Sequence, residues 1–63
     1  MLSEPDRRNI FRALVEAQDG GASVAESRQV IAEHFGLTQR QVQRIEQEGL
    51  DKDWPPLSDV AAD

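Results

Sequence analysis

Arg28-Gln29-Val30-Ile31-Ala32-Glu33-His34-Phe35-Gly36-Leu37-Thr38-Gln39-Arg40-Gln41-Val42-Gln43-Arg44-Ile45-Glu46-Gln47 is the stretch that decides how this chain folds. Apolar residues recur at helical spacing on both sides of Gly36-Leu37-Thr38. Two helices joined by so short a turn must cross steeply. A steep crossing needs a tiny side chain where the helices touch, and Ala32 stands there. It needs a residue free to take positive φ in the turn, and Gly36 is one. It also needs a branched apolar residue facing back to the alanine, which Val42 provides. Ile31, Phe35, Leu37 and Ile45 fill the remaining angle. Thr38-Gln39-Arg40-Gln41 follows the capping-box pattern that opens a helix.

Working outward, Ser3-Glu4-Pro5-Asp6 reads as the start of a first helix, with Ser3 as cap and Pro5 in the first turn. Ile10, Phe11, Leu14, Val15 and Ala17 give that helix one apolar face. Gly20-Gly21 ends it. Ser23-Val24-Ala25-Glu26 is a second capping box and opens a helix running to about Phe35, with Val24, Ile31, Ala32 and Phe35 turned inward. The third helix buries Val42 and Ile45, and Gly49 reads as its natural end. Trp54-Pro55-Pro56-Leu57 then forbids further helix. No strand pattern occurs. The expectation is an all-α three-helix helix-turn-helix domain over residues 1–50, with the motif at 28–47 and an extended acidic tail over 51–63.

Residues Ile31 to Leu50 resemble region 4 of bacterial RNA polymerase sigma factors of the sigma-70 type. That family's pattern is a helix, a Gly/Asp-Leu/Val-Thr/Ser turn and a recognition helix. Thr38, Val42, Ile45, Glu46 and Leu50 match it, and Gly49 stands where alanine is usual. The resemblance covers these 20 residues and implies a DNA-binding recognition helix over 39–49, seated in the major groove. It departs at the base-facing positions, which here are Gln39, Arg40, Gln43 and Arg44, so the family's promoter sequence is not carried over. The regions with which a sigma factor opens promoters and holds the polymerase core have no counterpart here.

Composition bounds the rest. Sixty-three residues make one domain near the lower size limit for a core without staples. No cysteine supplies a disulfide or thiolate zinc site, and one histidine cannot build a metal site. No apolar run spans a bilayer and no leader marks the chain for export, so the expected place is the cytoplasm, away from membranes. The formal charge of −5 is unevenly spread. Up to Ile45, Arg7, Arg8, Arg12, Arg28, Arg40 and Arg44 balance Glu4, Asp6, Glu16, Asp19, Glu26 and Glu33. Beyond it, Glu46, Glu48, Asp51, Asp53, Asp59 and Asp63 face only Lys52. With no tyrosine, cysteine or glycine-rich phosphate loop, and no room for a substrate pocket, an enzyme, a cofactor and a small-molecule substrate are not expected.

The third helix carries the functional expectation. Thr38, Gln39, Arg40, Gln43, Arg44 and Gln47 point away from Val42 and Ile45. Glutamine pairs bidentately with adenine and arginine with guanine. Solvated helix faces more often carry Glu and Lys in i,i+4 pairs, although Gln and Arg are also good helix formers. Thr38 caps the helix beside amides suited to a phosphate, and Arg28 lies where the preceding helix would cross the backbone. Arg7, Arg8 and Arg12 either reach flanking phosphates or pair locally, Arg8 with Glu4 and Arg12 with Glu16. His34 reads as a half-exposed helix residue. Trp54 either folds back over the small core or, with Pro55, Pro56 and Leu57, docks a partner as an extended peptide. The leading expectation is a module binding double-stranded DNA within a larger complex or homodimer. The alternative is a protein-interaction adaptor on the same scaffold; RNA lacks stacking aromatics to recommend it.

Overall fold

A computed structural model of the chain describes residues 2–55 and contains three helices: α1 (Glu4–Asp19), α2 (Val24–Phe35) and α3 (Gln39–Lys52). Each helix packs against both others. The all-α reading is correct, and among the described residues there is no strand.

Each helix starts on a capping side chain. The Ser3 hydroxyl accepts from the Asp6 amide, with Pro5 inside the first turn of α1. Ser23 and Glu26 form a reciprocal capping box on α2, and Thr38 and Gln41 form another on α3. The helices also end alike. Gly21 (φ 103°), Gly36 (φ 67°) and Asp53 (φ 54°) each turn left-handed. The next residue is apolar in every case, and its amide donates to the carbonyl five residues back: Ala22 to Ala17, Leu37 to Ala32, Trp54 to Gly49. These bonds satisfy carbonyls that a helix end otherwise leaves without partners.

The core consists of Ile10, Phe11, Leu14, Ile31, Ala32, Val42, Ile45 and Trp54. Ala32 and Val42 are both buried, Val42 completely, as the crossing of α2 and α3 requires. One polar group joins them. Ser27 is fully buried, donates to the Val24 carbonyl and accepts from the Gln18 amide, so its hydroxyl is satisfied.

Two expectations need correction. Gly49 does not end α3: the helix continues through Lys52, so residues 51 and 52 are helical rather than extended tail. Gly49 is buried, and a Cβ placed on it would collide with the Phe11 ring. The glycine is therefore there for close approach of α1, not for termination. Val24 and Phe35 are not inward. They lie in the end turns of α2, outside its packed middle, and are 49% and 38% exposed. The apolar face of α1 is as expected, with Val15 and Ala17 partly buried and Val15 packed against the core. Of the two readings of Trp54 the first holds: it is 2% exposed and folds back into the core, so the folded unit extends past residue 50. Its ring meets Phe11 edge-on at 6.1 Å between centroids, with the Arg8 guanidinium at 5.4 Å and the Lys52 ammonium at 5.6 Å. Pro55 is exposed; Pro56 and Leu57, and the acidic tail beyond, lie outside the described residues.

Alanine favours helix over glycine by about 1 kcal/mol, but forcing a methyl group into a packed core costs about 1–3 kcal/mol. Gly49→Ala is therefore expected to lower the urea or thermal unfolding midpoint. A raised midpoint would show that Phe11 can move aside without loss.

Candidate nucleic-acid interface

The candidate surface is the side of α3 opposite Val42, Ile45 and Gly49. Those three residues are buried, which turns Gln39, Arg40, Gln43, Arg44 and Gln47 outward, and all five are exposed. Arg40 and Arg44 stand one turn apart, as do Gln39, Gln43 and Gln47. Thr38 is the cap itself. Its hydroxyl accepts from the Gln41 amide at 3.1 Å, while the Gln41 side-chain oxygen accepts from the Thr38 amide at 2.9 Å. Gln41 is thus held to the first turn of α3.

The other cations are internally neutralised. Arg8 lies 3.5 Å from Glu4, and Arg12 bonds Glu16 at 3.1 Å, the local i,i+4 pairs that the sequence allowed. Lys52 bonds Glu48 at 3.0 Å. Arg7 bonds both carboxylate oxygens of Glu48, at 2.8 and 3.3 Å, and donates to the Leu2 carbonyl at 2.7 Å. Arg28 donates from Nε and Nη2 to a single oxygen of Glu46, at 2.9 and 2.6 Å. Among the described residues, Arg40 and Arg44 are the two cations with no ion-pair or hydrogen-bond partner.

Arg28, expected beside a phosphate, is held by this internal bridge. It ties α2 to α3 through Glu46, whose side chain is only 15% exposed. Sequence reasoning missed this bridge and its counterpart between Arg7 and Glu48. The partners are 18 and 41 residues apart, so no local pattern marks them. Together the two bridges fix α3 against both neighbouring helices, which orients the outward row. His34 is exposed and meets the Phe35 ring edge-on at 4.8 Å.

Among the described residues the surface carries open grooves of about 190–240 Å³, and these are not centred on the outward row of α3. Among the described residues, no group of His, Asp and Glu could hold a metal ion, and no helix is long and apolar enough to cross a membrane. Compared with known proteins, the chain matches no family model, no curated protein and no solved structure.

The hydrogen bond from Arg7, reinforced by that from Lys52, holds the Glu48 carboxyl below its ordinary pKa of 4.5. A carboxylate depressed in the folded state stabilises the fold above its unfolded pKa and stops doing so as pH falls through the folded value. Stability should thus be flat near neutrality and fall on acidification below about pH 4.5. Glu48→Gln should remove part of that acid slope in unfolding experiments at a series of pH values. An unchanged slope would show that the bridge is not what acid breaks.

Proposed function

We propose that this chain is a DNA-binding module that sets α3 in the major groove, in the manner of sigma-factor region 4, as a regulator or accessory factor of transcription. The observation that carries the reading is the pairing pattern of the cations. Every other described Arg or Lys is matched to a carboxylate, while Arg40 and Arg44, without partners among the described residues, project from an exposed row otherwise made of Gln39, Gln43 and Gln47. An unpaired guanidinium loses no internal bond when it meets a guanine edge, and each bidentate pair discriminates by about 1–3 kcal/mol. Gln39, Gln43 and Gln47 suit adenine edges. Thr38 sits at the helix start, where the amides favour a phosphate.

Arg28 takes a supporting role in this reading: it sets the angle at which α3 is offered. With only two free cations and a net charge of −5, the module binds weakly alone and depends on salt, because phosphate neutralisation supplies most non-specific affinity. A larger complex or a second copy then supplies the remaining affinity. The second reading, a protein-interaction adaptor, is favoured by the exposure of Val24, Val30 and Phe35 on α2 and Leu50 on α3.

Fluorescence anisotropy with labelled duplex DNA at low salt tests the proposal. Arg40→Ala and Arg44→Ala should each weaken binding by about 1–3 kcal/mol with helicity unchanged. Arg28→Ala should instead lower the unfolding midpoint, by about 1–3 kcal/mol of stability, because Glu46 is left half-buried without its partner. Duplex binding indifferent to both α3 substitutions would overturn the proposal and favour the adaptor.

A further inference from the structure

The outward surface of α3 is two rows of different chemistry. Gln39, Gln43 and Gln47 stand four positions apart, and Arg40 and Arg44 form a second row one position further on. Neighbouring residues of a helix point about 100° apart and differ by about 1.5 Å in height. Gln43 and Arg44 therefore lie side by side and straddle the line opposite the buried Val42, Ile45 and Gly49. Gln39 and Arg40 repeat the arrangement one turn earlier. Gln47 continues the glutamine row without an arginine beside it, because Glu48 stands at the next position.

The carboxylates that border the two rows are engaged by the fold. Glu46, on the glutamine side, accepts two bonds from Arg28, and Glu48, on the arginine side, is held by Arg7 and Lys52. Both are thereby kept off the rows. One turn beyond Gln47 the outward position is the exposed Asp51, whose charge repels phosphates, so the surface that suits DNA ends at Gln47.

A helix lying along the major groove has a different DNA strand on each flank. Glutamine matches adenine and arginine matches guanine, each through two hydrogen bonds to the base edge. Both bases are purines, so the flank a row occupies decides which strand carries the purine it reads. We infer that α3 reads purines split between the strands: guanines on the strand facing Arg40 and Arg44, adenines on the strand facing Gln39 and Gln43. This rests on the DNA-binding reading and adds the class of target to it. Each adenine of the far strand pairs with a thymine of the near one, so the near strand interleaves guanine with thymine. Arg40 and Arg44 are about 6 Å apart along the helix, and base pairs are about 3.4 Å apart, which sets the guanines about two base pairs apart.

Two duplexes of equal base composition test this. In the first, guanine alternates with thymine on one strand, opposite adenine and cytosine. In the second, guanine alternates with adenine, opposite thymine and cytosine, so every purine lies on one strand. In anisotropy titrations at low salt, the full chain should bind the first duplex about fivefold or more tightly than the second. The double variant Gln39→Ala with Gln43→Ala should erase that preference, with helicity unchanged because both side chains are exposed. Arg40→Ala with Arg44→Ala should weaken binding to both duplexes, since both offer guanine. The first duplex also contains easily deformed steps, and a preference due to DNA shape would survive the glutamine substitutions. Equal affinity for the two duplexes, a preference for the second, or a preference that the glutamine variant keeps would overturn the inference while leaving DNA binding intact. Failure to bind either duplex at low salt would overturn it together with the DNA-binding reading.

Discussion

The ring of Phe11 fills the space that a side chain at position 49 would need, and this contact sets how closely α1 can lie against α3. Close approach brings Arg7 onto Glu48 and leaves a slot at the C-terminal end of α3 that the Trp54 ring closes, edge-on to Phe11. Arg8 and Lys52 then lie near that ring at cation–π distance, so a cluster of charges shields the most hydrophobic seam of the domain. A chain with no cysteine and, among the described residues, a core of eight buried apolar side chains has few other sources of stability. Loosening the Phe11–Gly49 contact would move α3, and with it every outward-facing side chain.

Much of this was legible in the residues. Ser23 with Glu26 and Thr38 with Gln41 announced the starts of α2 and α3, because a capping box is a local device spelled out within four positions. Gly36 announced the turn for the same reason. Gly49 misled because glycine serves two physical purposes, positive φ and close approach, and only the position of Phe11 separates them. The residue that does turn left-handed at the end of α3 is Asp53, which a search for glycine passes over. Val24 and Phe35 had the right spacing, but periodicity does not say how far along a helix its partners extend. Ser27 took an inward place that an apolar count would not assign, because Gln18 and the Val24 carbonyl satisfy its hydroxyl.

The site was legible in part. The outward row of α3 followed from the burial of Val42 and Ile45 and was readable from the helical repeat alone. Which arginines are free was not. Arg28 looked available until Glu46, 18 residues away, was seen to hold it. The internal pairings divide one set of like residues into two groups. Arg7, Arg8, Arg12 and Arg28 pair with carboxylates of the fold, and among the described residues Arg40 and Arg44 have no such partner. The acidic excess that seemed at odds with DNA is partly spent within the fold, since Glu46 and Glu48 neutralise arginines that brace α3.

The central claim is that the outward row of α3 is the surface that meets DNA. Amide NMR shifts along the full chain, followed during a low-salt titration with mixed-sequence duplex DNA, test it most directly. The account predicts shifts concentrated between Thr38 and Gln47 that fade as salt is raised. A folded chain whose α3 amides do not move at low salt, or whose shifts fall instead on Val24, Val30 and Phe35 of α2, would contradict it.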